Sequence, residues 1–533
     1  MSRAQLKSTL TDDRARRIAR AIAKGKPPPL NADLDEYCES SPHEIFAAFI
    51  GAARHMPPAG NDEALALGYL FVLQRLLEHL RYQTDRGYAD AAKLIADFQA
   101  GVVAHIKAGQ VNHNMLAFVG GALHQSKIPA SPEFSAASAT HSVDQYESQP
   151  IPDDACAALV GVLETCGGDP FMAVGALLEA SHTILAEARG TLASGLALAG
   201  IPEGRAVAVL LLLDASSAVR RAVAGALEQV AASLTPMEVR RLITVRNWRP
   251  ENERAEVDAV IRKARAAGID CAQWGPGSIE GIVATAIDGA ATQGFLLVSP
   301  TGRKKRLSSL LTKVGIADAW SGEPESRRRV ETSLADAGMG APVLVVSRAY
   351  LDRMVAHHLV LSTEKGEAPP FGLLQVAETI GGADWQPARI TFSEALAELI
   401  DQVPKAMCRP AAVASILQNS HELADLEAIA ESWFEDDPEV AHLVKHARGG
   451  DCAKLATYLL QSIIPRRRDR WTEIILRTAL WMREAPAEAD LCWRELAIVA
   501  KALADGRDMN EISLMREIAL RTIAVLTSDI LTI

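Results

Sequence analysis

Three times in this sequence a Ser or Thr is followed three positions later by Glu at the head of an apolar-periodic stretch: Ser41-Pro42-His43-Glu44, Thr235-Pro236-Met237-Glu238 and Thr391-Phe392-Ser393-Glu394. The hydroxyl can accept from the backbone N–H three residues on while the carboxylate returns a bond, so the pattern marks a helix start. Proline at the first helical position strengthens two of the three. Stop signals recur between such starts, among them Gly25 before Pro27-Pro28-Pro29, Pro57-Pro58, Gly268, Pro465 and Pro486. A chain punctuated in this way is committed to many short helices with tight connections. Alanine, the strongest helix former, supplies 90 of the 533 residues and lets such helices approach closely. The fold class expected is mainly α, stacked helical hairpins forming an α-solenoid or layered bundle, with a small α+β module inserted.

The pattern divides the chain into five stretches. Residues 1–125 read as an N-terminal helical bundle; one of its helices carries Leu65, Tyr69, Val72, Leu76, Leu77 and Leu80 on a 3.6-residue period. Over 126–152 Ser, Pro and Ala dominate and no apolar stripe survives, which predicts a linker. Helical periodicity resumes over 153–268. In 275–400 the period shortens: Ile279–Ile287 alternates, Phe295-Leu296-Leu297-Val298 and Pro342–Val346 read as strands, and Pro300-Thr301-Gly302-Arg303 as a turn. Short helices are expected there at 307–314, 324–337, 348–362 and 371–380. Residues 401–533 read as helical throughout, with prolines placing consecutive helices antiparallel.

Leu211-Leu212-Leu213, Asp214, Ser217, Val219-Arg220, Ala222-Val223 and Ala226-Leu227 together resemble a HEAT-type helical repeat over 207–230. The resemblance implies that Asp214 sits in the inter-helix turn and that Arg220 on the second helix reaches the acidic turn residue of a neighbouring repeat. It also implies a surface for protein partners and no enzymatic activity. A partial echo stands at Asp437-Pro438-Glu439-Val440, where Ala441 replaces the expected Arg.

Apolar residues make up 49% and charged residues 23%, so a large core can be buried and wholesale disorder is excluded. The longest purely apolar run, Ala206–Leu213, is far short of the roughly 20 residues of a membrane-spanning helix. Seven scattered cysteines without a Cys-x-x-Cys pair suggest neither a disulfide framework nor a zinc ribbon, so a cytoplasmic protein without membrane insertion is expected. The net charge of −11 argues against a generally basic nucleic-acid-coating protein but permits local patches. Residues 1–26 carry eight basic side chains against Asp12 and Asp13. Arg303-Lys304-Lys305-Arg306 places four successive positive charges at a predicted hairpin, a candidate contact for an anion or a nucleic acid. Arg327-Arg328-Arg329 and Arg466–Arg470 are expected to pair with local carboxylates on solvated helix faces.

Catalytic patterns are lacking. There is no Gly-x-Ser-x-Gly elbow, Walker-type loop or glycine fingerprint, and no cofactor is expected. His442 and His446 have the i,i+4 spacing of metal ligands, but Leu443 stands where zinc proteases carry Glu, so the pair is a weak metal candidate. Adjacent His357 and His358 diverge by about 100° on a helix; one imidazole is expected near the apolar side and one outside. The leading functional expectation is a non-enzymatic helical scaffold or adaptor for a protein partner. The alternatives are a nucleic-acid-associated protein using Arg303–Arg306 and a basic N-terminal arm and, more weakly, a metal-dependent enzyme.

Overall fold

The computed structural model describes the chain except for residues 1–2, 25–31, 57–61, 86–87, 112, 139–160, 162, 164, 182–185, 276, 341, 382–384, 427–428, 430–431, 436, 447–451, 487–491 and 532–533. The protein is mainly α with one small antiparallel sheet, and it divides into two compact units, Met1–Gly204 and Arg205–Thr532. Among the described residues no helix is long and apolar enough to cross a membrane.

The first unit gathers the helices Arg3–Ile22, Ala32–Ser40, Ile45–His55, Glu63–Asp85, Ala89–Lys107 and His113–Gln125 around one apolar core. The stripe foreseen on Glu63–Asp85 is buried from Leu65 to Leu80. The basic N-terminal segment is no free arm. Ala15 and Ile18 of its helix enter the core, Arg14 and Arg17 pair with Asp33, and Arg14 lies over the ring of Tyr37. Lys26 lies outside the described residues. The capping box expected at Ser41 does not form, because Glu44 is buried and accepts from Thr11 Oγ1 at 3.3 Å; a 3₁₀ turn over Pro42–Glu44 opens the helix instead.

The linker reading of 126–152 needs correction. Residues 132–138 are helical, and Phe134 is fully buried in the core of the first unit. One aromatic side chain anchors a stretch whose Ser, Pro and Ala content carries no periodic signal. Residues 139–152, and the start of the helix expected from 153, lie outside the described residues.

The second unit begins within the first of two consecutive helical hairpins, Pro202–Leu211 with Ser217–Gln229 and Pro236–Trp248 with Arg254–Ala266. The capping box at Thr235 is complete: Glu238 N–H donates to Thr235 Oγ1 at 3.2 Å and Thr235 N–H to Glu238 Oε2 at 2.6 Å. The sheet follows as β1 (Gly281–Thr285), β2 (Gln293–Thr301), β3 (Lys304–Lys313), β4 (Gly315–Ser321) and β5 (Val343–Val345), in the order β4-β3-β2-β1-β5. Every paired neighbour is antiparallel, and the helix Arg327–Gly340 lies in the connection that carries the chain from β4 to β5. Gly302 at φ +60 begins the two-residue β2–β3 turn, as a type II′ turn requires.

Residues 307–314, expected to be helical, belong mostly to β3. Leu307, Leu310 and Leu311 have helical spacing, yet the buried positions are Ser308, Leu310 and Thr312, a period of two. The small hydroxyls face inward: Ser308 meets Ser321 Oγ at 2.7 Å, and Thr312 donates to the carbonyl of Gln293 at 3.1 Å. The helices Arg348–Glu364 and Gly372–Thr379 pack on β4. Three buried indoles donate to backbone carbonyls across this unit: Trp248 to Trp385, Trp433 to Ile287 and Trp481 to Ala284. The last two tie the C-terminal part of the chain to β1 and the segment that follows it, since a buried indole N–H needs an acceptor.

Candidate binding cavity

Adjacent His357 and His358 are both buried, contrary to the expectation that one would face outward. Each ring is fixed by a different neighbour. The Ile390 amide donates to His357 Nδ1 at 3.2 Å, which leaves the ring proton on Nε2, turned toward Glu473 Oε1 at 3.6 Å. His358 Nε2 accepts from Arg477 Nη2 at 3.0 Å, so its own proton sits on Nδ1. Burial first, and then the Arg477 charge, push the His358 pKa down to about 2.

Glu473 and Arg477 are one helical turn apart on Arg468–Met482. That helix presents Asp469, Thr472, Glu473, Leu476, Arg477 and Leu480 along one face, at the i, i+3, i+4 spacing of a helix stripe. The stripe walls a cavity of about 520 Å³ with His357, the segment Arg389–Phe392, and Leu503-Ala504 of the helix Trp493–Ala504. A volume of this size accommodates a small organic molecule. Its depths are buried Arg477, His357, Leu476, Leu480 and Leu503, whereas Asp469, Thr391, Ala504 and half of the Glu473 side chain are exposed at the mouth.

The cations of the cavity are not equivalent. Arg389 is paired with Glu364. Arg468 donates to the carbonyls of Leu503 and Arg507, each at 2.9 Å, closing the end of the neighbouring helix. Arg477 is only 3% exposed; among the described residues it makes one hydrogen bond, the one to His358, and its buried Nε meets no acceptor. Among the described residues no carboxylate lies within ion-pair distance of it. Desolvation lowers its pKa, opposed first by Tyr350 and then by the more distant charges of Glu473 and Asp288. The Glu473 carboxyl is held below the ordinary carboxylate range by the His357 N–H, with Arg477 and Arg389 adding to the effect against partial burial. The cavity thus combines a buried, under-coordinated guanidinium with the apolar side chains Ile390, Phe392, Leu476, Leu480 and Leu503 and with carboxylates at Glu473 and Asp469.

The residues singled out in the sequence lie elsewhere. Arg220 is buried, donates to both carboxylate oxygens of Glu253 at 2.8 and 2.7 Å, and holds the carbonyls of Asp214 and Ala215 at 2.7 and 2.9 Å. Its acidic partner is therefore Glu253, in the turn of the following hairpin, while the Asp214 side chain accepts from the Ser216 amide at 2.7 Å within its own turn. Buried Arg249 completes the cluster on Glu253 Oε2 at 2.6 Å. Burial pushes the Glu253 carboxyl up, but the bonds from Arg220 and Arg249 outweigh it and the net shift is downward.

Of the basic hairpin, Lys305 pairs with Glu280 at 2.6 Å, Arg303 and Lys304 are exposed at the turn, and Arg306 is partly buried opposite Ser299. Arg327 pairs with Glu331 and Arg329 with Glu325 within one helical turn, as expected. The 466–470 group does not pair locally: Arg467 and Arg470 reach the buried Glu435, 32 and 35 residues away, and Arg467 also Asp437. His442 and His446 share the helix Pro438–His446, but the His446 side chain is outside the described residues. Among the described residues no three His, Cys, Asp or Glu side chains gather to hold a metal ion.

Comparison with known proteins adds two regions. Residues 393–527 match the Y4lR C-terminal helical domain and residues 186–268 the Y4lR second domain. The chain is 25% identical over 327 residues to the uncharacterized protein y4lR of Sinorhizobium fredii (strain NBRC 101917 / NGR234), a match covering 59% of this chain. The chain spans about 61% of that relative's length. No solved structure matches. The first region contains the cavity stripe from Asp469 to Leu480 and the second contains Arg220 and Glu253, whereas His357 and Arg389 fall outside both.

Proposed function

We propose that this protein is a non-enzymatic binding protein whose second unit recognises a small organic anion in the cavity around Arg477. One observation carries the reading: a guanidinium 3% exposed, with one hydrogen bond and an unpartnered Nε among the described residues, lines a cavity of about 520 Å³. A buried cation left under-coordinated is costly, and an anion entering the cavity relieves that cost. His357 does not serve as a base here, because its Nδ1 is taken by the Ile390 amide and its Nε2 carries the proton. Binding, rather than bond-making, is the chemistry this arrangement supports.

Thermal unfolding of the full-length protein with a panel of carboxylates, phosphates and sulfates tests the reading. At least one class is expected to raise Tm in the parent and not in Arg477→Met. A ligand at a hundred times its Kd stabilises by about 2.7 kcal/mol, an effect easily read. Absence of any Arg477-dependent shift across the panel overturns the reading.

A scaffold role is a second, compatible proposal, favoured by the Arg220–Glu253 contact. Glu253 follows Asp214 by 39 residues and occupies the corresponding turn of the next hairpin. That spacing is close to the roughly 40 residues of HEAT-type repeats, in which stacked hairpins offer an extended partner surface. Recovery of no reproducible near-stoichiometric partner from native cells counts against it. The nucleic-acid alternative now rests on exposed Arg303 and Lys304, since Lys305 is paired.

A further inference from the structure

We infer that the ligand of the Arg477 cavity is a monocarboxylate with an apolar body, of the size of a medium-chain fatty acid or an aryl-alkanoic acid. This deepens, and rests on, the reading of the cavity as an anion site.

The charge count selects the head group. Arg389 is exposed and pairs with Glu364, and Arg468 gives its Nη1 to two helix-end carbonyls; Arg477 is the buried cation of the three, with its Nε unpartnered among the described residues. Glu473 stands one turn away on the same helix and Asp469 one turn further, both lining the same space. A phosphoryl dianion would bring two negative charges to Arg477, the buried guanidinium of the three that line the space, with Glu473 and Asp469 beside it. A single planar carboxylate matches the guanidinium fork and adds only one. Thr472, buried beside the stripe, donates its hydroxyl to the Arg468 carbonyl at 2.6 Å and so adds no free donor for a larger oxyanion.

The walls select the body. Ile390, Phe392, Leu476, Leu480 and Leu503 line the same space as the guanidinium. Apolar surface taken from water against them contributes about 25 cal/mol per Å². Hydroxyls on the part of a ligand lying against these five side chains would lose water without gaining a partner, at a cost. Charge at one end and hydrocarbon over the rest is the pattern that fits.

Isothermal titration of the full-length protein with octanoate, 3-phenylpropanoate, octanol, octyl phosphate, inorganic phosphate and acetate tests this. Octanoate or phenylpropanoate is expected to bind at least tenfold more tightly than octyl phosphate, acetate or octanol. Arg477→Met should weaken octanoate at least tenfold while leaving octanol within twofold. Ala504→Trp places an indole at the exposed mouth without disturbing the core, and should weaken octanoate at least tenfold with Tm unchanged. It decides the question if Arg477→Met does not fold. Octyl phosphate or inorganic phosphate binding more tightly than octanoate, in an Arg477-dependent way, overturns the monocarboxylate and leaves the anion site standing. Acetate matching octanoate overturns the apolar body. Octanoate affinity unchanged in both variants, or no binding by any of these probes, overturns the inference; the broader anion panel then separately decides the site.

Discussion

His358 Nε2 accepts from Arg477 Nη2 at 3.0 Å deep beneath the cavity, so the imidazole must stay neutral for the contact to exist. Its pKa is pushed down to about 2 by burial and then by the Arg477 charge, against an unfolded value near 6.5. The folded state therefore takes up this proton far less readily than the unfolded chain. The associated stability is complete above about pH 6.5 and is lost as pH falls toward the folded pKa, at up to about 1.4 kcal/mol per pH unit. His358→Gln keeps an acceptor for Arg477 and cannot charge. Its stability between pH 6.5 and 4.5 is expected to fall less steeply than the parent's. Urea titrations followed by tryptophan fluorescence check this, because all eight tryptophans, from Trp248 to Trp493, belong to the second unit. Parallel slopes in the two proteins would refute it.

Arg220 joins two hairpins through Glu253 and two backbone carbonyls. Arg220→Met removes the bidentate partner of a buried carboxylate and leaves both the carbonyls of Asp214 and Ala215 without their donor. Breaking a buried pair from one side costs about 3–5 kcal/mol. The same fluorescence-detected urea transition should move by that amount. Asp214→Asn retains a side-chain acceptor for the Ser216 amide and is expected to cost about 1 kcal/mol or less. Comparable losses in the two variants would contradict the assignment of Glu253 as the acidic partner.

Much of the helical architecture was legible because its signals are local. Thr235 and Glu238 close their box through contacts three residues apart, and the Leu65–Leu80 stripe is a property of one helix. Where tertiary partners intervene the reading fails. Glu44 leaves its box for Thr11, and Ser308 and Thr312 turn inward to pair with Ser321 and Gln293, so that a leucine pattern of helical spacing becomes a strand. Arg220 was recognisable from its Val219-Arg220 context, but its partner stands 33 residues away. The cavity was hidden for the same reason, since His357, Arg389, Arg477 and Leu503 come from four separate segments. One trace existed in the sequence: the stripe Asp469, Thr472, Glu473, Leu476, Arg477 and Leu480, which mixes ionisable and apolar residues on one helical face.

Lys305 and its neighbours Arg303 and Lys304 separate a structural from a solvated charge. Lys305 pairs with Glu280 at 2.6 Å, and its backbone bridges to Glu325. The Glu280 side chain is about half exposed, so Lys305→Met should cost no more than about 1 kcal/mol. Arg303→Gln with Lys304→Gln removes exposed charge at the turn and should leave the urea midpoint unchanged. A larger loss in the double variant than in Lys305→Met would reverse that assignment.

Gly372 begins the helix Gly372–Thr379 where it meets β4, and a Cβ there would stand 1.8 Å from the carbonyl oxygen of Ala319. The obstacle is strand backbone, held in register by the pairing of Ala319 with Leu310, so it cannot rotate aside as a side chain could. Leu373, Leu374, Val376 and Ala377 of this helix are buried, and displacing its first turn would loosen all four. Gly372→Ala is thus expected to destabilise the second unit by about 1–3 kcal/mol, despite alanine's better helix propensity of about 1 kcal/mol. Gly366 provides the contrast, since its φ of +75 disfavours a side chain but nothing crowds its Cβ position. Gly366→Asn, a residue that tolerates the left-handed region, should be nearly neutral. A stabilising Gly372→Ala, read from the same urea transition, would mean that helix propensity rather than backbone approach governs this position.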